Sequence, residues 1–234
     1  MTGIRTLHLH PTAPLAERVL LPGDPGRALL LAQTLLDRPV MFNHHRGLWG
    51  YTGTASDGAS LTVQSTGMGG PSAAIVVAEL ADLGARRFIR VGTCGALDPA
   101  LALGDLLIVT KAIPADGTSR ALGARNHLAA DRELLTALVA AAGERARAGP
   151  VVSTDLFYDG PDEKDWIAQG AVAVEMETAT LFALARRREL AAASLLLVSD
   201  LLLPNRTRIA HDQLRDAERR LGEVAVQALG ELDR

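Results

Sequence analysis

The segment Arg87-Phe88-Ile89-Arg90-Val91-Gly92-Thr93-Cys94-Gly95 sets a charged arginine inside an apolar run that ends in a glycine turn. A desolvated guanidinium is costly unless an anion meets it. A turn with two glycines and a threonine offers backbone N–H groups and a hydroxyl that can close around phosphate oxygens. Arg90 and Thr93 are therefore candidates for half of an oxyanion site. An arginine that snorkels from a strand end, beside a turn that needs glycine only for its dihedrals, would leave the same trace. Nearer the N-terminus, Leu20-Leu21-Pro22-Gly23-Asp24-Pro25-Gly26-Arg27 places a tight turn between a strand and a helix, with Arg27 in the first helical turn. A helix N-terminus favours an anion, so a cation there opposes the dipole and a bound anion would relieve the conflict. Ser65-Thr66-Gly67-Met68-Gly69-Gly70-Pro71-Ser72 is a second glycine-rich bend with proline at the start of the next helix. It lacks the Lys-Ser/Thr ending of a nucleoside-triphosphate loop and the dinucleotide fingerprint, and ordinary turn geometry also accounts for it.

Carboxylates form the second group. In Val174-Glu175-Met176-Glu177 two acids stand two residues apart where a strand gives way to a helix, so both can face one cavity, or one can cap the helix. A carboxylate is an acceptor-only group suited to the paired hydroxyls of a ribose. Ser199-Asp200 follows Ser194-Leu195-Leu196-Leu197-Val198 and precedes three leucines, which puts a carboxyl at the end of a buried strand, a position suited to a general acid. Phe157 can stack on a flat base, although core packing is the commoner use of phenylalanine. His44-His45 lacks the spacing of a helical metal pair, no His-Glu-x-x-His set occurs, and no metal is expected. A Gly-x-Ser-x-Gly elbow is also absent, which leaves an α/β serine hydrolase without support.

Strand-length apolar runs alternate with helix-period segments, the pattern of an α/β fold with a largely parallel or mixed sheet. Strands are expected at Arg18–Leu21, Gly50–Thr54, Leu61–Gln64, Phe88–Val91, Leu106–Thr110, Val151–Ser153, Ala171–Val174 and Ala193–Val198. Helices are expected at Gly26–Leu36, Ser72–Leu83, Asp131–Gly143, Asp162–Gln169, Glu177–Arg188 and from about His211 to Leu232. Asp57-Gly58 reads as a hairpin turn. The Gly-, Ala- and Ser-containing stretch Ala112–Asn126 reads as a long loop able to cover a site.

At 234 residues and 48% hydrophobic, the chain can bury one large core, and one domain over residues 1–234 is expected. A net charge of −3 with dispersed arginines gives no polyanion-binding signature, so nucleic acid is not an expected partner. The lone Cys94 excludes an internal disulfide and fits a cytoplasmic setting. No export signal and no apolar run of about 18 residues is present, so no membrane association is expected.

These residues stand in an order that resembles the hexameric purine nucleoside phosphorylases, within the nucleoside phosphorylase family that also holds the uridine phosphorylases. The resemblance runs from about Arg18 to Asp200. It is carried by Leu21–Arg27, by His45-Arg46-Gly47-Leu48-Trp49-Gly50-Tyr51-Thr52-Gly53, by Arg90–Gly95, by Val174–Glu177 and by Ser199-Asp200. It implies a three-layer α/β/α sandwich with a central mixed sheet, and a homohexamer built as a trimer of dimers. It further implies reversible phosphorolysis of purine (deoxy)ribonucleosides, with inorganic phosphate as co-substrate and no cofactor. By position, Gly23, Arg27, Arg90 and Thr93 would hold phosphate, with Arg46 lent by the neighbouring subunit. Met68, Met176 and Glu177 would hold the ribose, with Glu177 accepting from its hydroxyls, and His8 of a neighbour would reach the 5′ hydroxyl. Phe157 and Val174 would flank the purine, Glu175 would help line the pocket, and Asp200, beside Ser199, would protonate purine N7. Because an acid at that place suits a 6-amino purine, adenosine is an expected substrate. The stretch after Asp200 departs from the family pattern, leaving Arg206, Arg208 and Arg215 as candidates to assist it. The glutamine and arginine that read a pyrimidine edge in uridine phosphorylases have no counterpart between Tyr158 and Trp166, which favours purine. The alternatives are a uridine phosphorylase, a nucleosidase of the same superfamily, and a non-catalytic nucleoside binder.

Overall fold

All eight expected strands form, and most grow past the apolar runs that announced them. The computed structural model describes residues 6–158, 160 and 163–232. β1 (Arg18–Leu21) leads through a tight turn into α1 (Pro25–Leu35), whose cap is Asp24, its side chain accepting the Arg27 N–H at 2.7 Å. β2 (Asp37–Asn43), β3 (Gly50–Thr54) and β4 (Ser60–Gln64) make an antiparallel meander with Asp57-Gly58 turning its hairpin. Then come α2 (Gly70–Asp82), β5 (Arg87–Ala96), β6 (Leu106–Pro114), α3 (Gly117–Ala121), β7 (Leu128–Ala129) and α4 (Arg132–Ala142). β8 (Ala146–Ser153), α5 (Glu163–Ala168), β9 (Ala173–Glu175), α6 (Thr178–Arg188), β10 (Ala191–Leu201), β11 (Thr207–Arg208) and α7 (His211–Leu232) complete the order. Asp162, where the fourth expected helix begins, lies outside the described residues.

The strands build one mixed sheet in the order β11-β10-β6-β8-β9-β5-β1-β4-β3-β2, with β7 on β6. β10 also pairs in parallel with β5, from Ala191 opposite Arg87 to Leu201 opposite Ala96. That pairing closes β10, β6, β8, β9 and β5 into a five-stranded ring, so the sheet is not a simple open layer. Its two faces are read off by alternation. Phe88, Leu196 and Val198 join a core with α2 and α6, while Ile89, Val91, Leu195 and Leu197 join a second core with α1, α4 and α7.

The stretch Ala112–Asn126 is not the expected loop. β6 runs on to Pro114, and α3 follows, capped by the buried Asp116, which accepts the Ser119 N–H at 2.7 Å and the Thr180 hydroxyl at 2.8 Å. The polar residues that hid the helix are its anchors. β2, β7 and β11 carried no apolar alternation and were not expected; most of β2 is exposed. Among the described residues no helix is long and apolar enough to cross a membrane.

Candidate active site

One cavity of about 640 Å³ gathers the C-terminal ends of the central strands, where α/β folds place ligand sites. Its wall includes Gly23 and Arg27 after β1, Gly67 and Met68 after β4, and Arg90 and Thr93 in β5. Phe157 after β8, Val174 and Glu175 in β9, Met176 and Glu177 before α6, and Ser199 and Asp200 in β10 join them, so all the expected residues except His8 and Arg46 line it. The β1 and β4 loops are tied together: Thr66 N–H donates to Pro22 O at 2.9 Å, and a Cβ on Gly23 would stand 3.3 Å from Gly67 O.

Arg90 is buried and not waiting on an external anion alone. Its Nε donates to Glu175 at 3.0 Å and a terminal nitrogen meets Glu177 at 2.5 Å. The guanidinium lies over Gly92, where a Cβ would come within 2.7 Å of its central carbon, so glycine at 92 makes room for the arginine. Glu175 is saturated. It accepts from Arg90, from the Glu177 and Thr178 amides at 2.9 Å and from the Ser153 hydroxyl, so it holds Arg90 and the start of α6 in place and has no free side towards a sugar. Glu177 accepts the Gly69 N–H at 2.6 Å and keeps its other contact on Arg90. Burial raises the pKa of Glu177 above the usual carboxylate range, Arg90 opposes that rise and the Glu175 charge adds to it. Arg27 does not oppose its helix dipole unaided either, because its Nε donates to Glu218 of α7 at 2.7 Å, both side chains being buried. Glu218 is a partner that sequence spacing could not supply, lying 191 residues away. Beside these groups Cys94 is a neutral wall residue, its thiol pKa pushed well up by burial.

Asp200 faces this cluster from β10. The register of β10 against β5 shifts between Val198 and Asp200, a bulge that re-aims the carboxyl. Oδ2 accepts from the Ser199 hydroxyl at 2.7 Å, whereas the buried Oδ1 has no hydrogen-bond partner. Arg208 Nε approaches Oδ1 to 3.2 Å and Arg206 Nε to 3.7 Å, as ion pairs without hydrogen-bond geometry. Arg208 sits opposite Asp200 across the β10–β11 ladder, and the exposed Arg215 does not line the cavity, so of the three candidates the first two reach the acid. The Arg206 guanidinium also lies 4.5 Å over the ring of Phe157, which is half exposed at the cavity mouth. Met68, 86% exposed between two glycines with positive φ, stands at the same mouth.

A family model for the phosphorylase superfamily matches residues 17–230. The chain belongs to that superfamily. It is 39% identical over 224 residues to a DeoD-type purine nucleoside phosphorylase of Geobacillus kaustophilus, covering 93% of this chain and 94% of the relative. The DeoD-type enzyme of Roseobacter denitrificans is 38% identical over 92% of the chain and 93% of its own length. A guanosine phosphorylase of Halorubrum lacusprofundi is 40% identical over 76% of each.

Two expected residues of this phosphorylase-superfamily chain do not reach its own cavity. His8 and Arg46 lie together elsewhere, beside Glu79 and His45. The sequence reading did not announce Trp166 and Leu202 as wall residues; their positions follow from α5 and from the turn after β10. Among the described residues no group of three or more His, Cys, Asp or Glu is placed to hold a metal ion.

The Arg90–Glu177 contact has a measurable consequence. Protonating Glu177 loosens its hold on Arg90 and removes a negative charge beside it, so an anion should bind more tightly as pH falls from neutral into the mildly acidic range. Sulfate is the right probe because phosphate itself titrates there. Its affinity, read by calorimetry, should rise on acidification, and in Glu177→Gln it should start higher and stay flat.

Proposed function

We propose that the chain catalyses the reversible phosphorolysis of purine nucleosides, yielding the free base and ribose 1-phosphate. The observation that carries this reading is the placement of Arg27 and Arg90 in the same cavity as a buried aspartate with one unsatisfied oxygen. As the C1′–N9 bond stretches, the sugar becomes cationic and the purine takes the bonding electrons. A phosphate oxygen beneath C1′ stabilises that cation and then forms the new C1′–O bond, and Asp200 gives its proton to N7 so that the base leaves neutral. Guanidinium forks suit the first task through charge-assisted contacts to phosphate. Glu177 would release Arg90 as it turns to the ribose hydroxyls, Met68 and Met176 would pack the sugar, and Phe157 and Val174 would flank the base. Thr93 and Gly23 would add donors to phosphate.

The charge count supports the rest of the assignment. Arg27 and Arg90 already face three carboxylates, Glu218, Glu175 and Glu177, so a dianion needs a further cation. Arg46 is exposed and, among the described residues, makes no hydrogen bond or ion pair, which suits a side chain lent to a second protomer's cavity. His8 would accompany it. The assembly would then be a dimer with shared sites, extended in the hexamer as three such dimers around a subunit of three α/β/α layers, in the cytoplasm. The two helix groups on separate cores support that layering, with the five-stranded ring at its centre. An acid rather than an amide at position 200 supports adenosine among the substrates, with inosine and guanosine. Incubation with phosphate and a panel of adenosine, inosine, guanosine and uridine tests this: adenine and ribose 1-phosphate should appear in equal amounts, and uridine should be left intact. Cleavage of uridine alone would give the site to a pyrimidine nucleoside.

A further inference from the structure

Glu79 lies in α2, outside the cavity, yet its carboxylate gathers several donors from the N-terminal segment. The amides of Leu7, His8 and Leu9 donate to it at 3.2, 3.1 and 2.7 Å, and His8 Nδ1 meets Oε1 at 2.7 Å. An ionised carboxylate can only accept, so His8 Nδ1 carries the proton in that contact. In the neutral ring this leaves the lone pair on Nε2, the nitrogen turned away from Glu79. The same carboxylate also governs the neighbouring loop. His8 O accepts from His45 Nδ1 at 2.9 Å, and the His45 ring stacks on His10 with centroids 3.8 Å apart. His45 is followed directly by Arg46, whose backbone is held at φ 59° and ψ 19°, a left-handed conformation that a residue other than glycine keeps only where its surroundings impose it. A single half-buried acid thus fixes one histidine by its ring and, through that residue's carbonyl, the loop from which Arg46 projects.

We propose that Glu79 is the positioning residue of the surface that one protomer lends to another's cavity: it fixes His8 as the Nδ1–H form, with Nε2 ready to accept a hydrogen bond from the sugar's primary hydroxyl, and steadies the Arg46 loop. This rests on the reading above in which His8 and Arg46 act in a second protomer. The pairing is specific to a histidine acting as acceptor; a carboxylate that only pinned the N-terminal segment would need the three amides and not the ring.

The test compares full-length protein with Glu79→Gln, His8→Ala and Arg46→Ala, using adenosine and 5′-deoxyadenosine as substrates at varied phosphate. Loss of one sugar hydrogen bond corresponds to a KM increase of about threefold to tenfold. Glu79→Gln should raise KM for adenosine by that factor, as His8→Ala does, leave KM and kcat for 5′-deoxyadenosine unchanged within about twofold, and raise KM for phosphate in the same direction as Arg46→Ala. A KM increase shared equally by both nucleosides, or a fall in kcat alone, would reduce Glu79 to a structural anchor and overturn the proposal. If His8→Ala itself fails to discriminate the two nucleosides, the shared-site reading of His8 falls, and the proposal with it. Nitrogen NMR of the histidine ring in the unaltered protein needs no variant to fold: an Nδ1–H tautomer at His8 is expected, and an Nε2–H tautomer would overturn the assignment.

Discussion

Asp200→Asn slows adenosine phosphorolysis by roughly 10²- to 10⁴-fold, the contribution expected of a general acid, and slows inosine less. The asymmetry follows from the leaving group. A 6-amino purine leaves readily only once N7 is protonated, and an amide has no proton to give. A 6-oxo purine can instead be held by the amide N–H, so its loss is smaller. The site adds a reason why the loss cannot be recovered nearby. Asp200 Oδ1 is buried without a hydrogen-bond partner, Oδ2 is held by the Ser199 hydroxyl, and the side chains that approach Oδ1 are the guanidinium groups of Arg208 and Arg206, a group unsuited to act as a general acid. Steady-state rates on both nucleosides check the prediction; equal losses on adenosine and inosine would remove N7 protonation from the account.

Arg90→Ala carries the second large effect, and it falls on stability as well as activity. The substitution strands Glu175, which has no exposed side-chain surface, and Glu177, almost as buried, without their shared cation. Removing one partner from a buried ion pair costs about 3–5 kcal/mol, which at about 2–4 °C per kcal/mol for a chain of this size lowers Tm by roughly 6–20 °C. The deficit depends on pH in a defined direction. Glu177 has its pKa raised in the folded chain, so its contribution to stability is complete below the unfolded carboxylate pKa and is lost as pH rises through the folded value. Without Arg90 to oppose that rise, the variant should be least stable near neutral pH and recover on acidification. Arg90→Lys should not rescue it, because a single ammonium cannot reproduce the planar fork that spans two carboxylates. Gly92→Ala should weaken phosphate use with less loss of stability, since its Cβ displaces the guanidinium without removing the charge. Thermal melts across pH, with phosphate KM, separate these outcomes.

Much of this site was legible in the sequence because each element announces its end. The strand β5 is a run of apolar residues broken by Arg90 and closed by glycines, and β10 is a run of leucines closed by Ser199-Asp200. What was not legible is who pairs with whom across the fold. The acids at 175 and 177 suggested a sugar, but only the β5–β9 pairing, with Gly95 opposite Val174, brings them onto Arg90. Glu218 reads as one more polar residue on an amphipathic helix until α7 is laid against α1. The ring of five strands escaped for a similar reason, since it closes through the pairing of β10 with β5, and local periodicity carries no information on which strands pair. The α3 segment was misread although Asp116 is a local cap for the Ser119 N–H, because the partner that buries that cap, Thr180, lies 64 residues away.

On the proposed reading, Arg27 and Arg90, joined by Arg46 of a second protomer, organise an inorganic oxyanion that becomes bonded to the sugar. Adenine release from adenosine by phosphate-depleted protein, followed as orthophosphate is titrated in, tests it most directly. Release should be negligible without phosphate, saturate with rising phosphate, and yield one ribose 1-phosphate per adenine. Adenine released at the same rate with and without phosphate, accompanied by free ribose, would contradict it and make the chain a hydrolase.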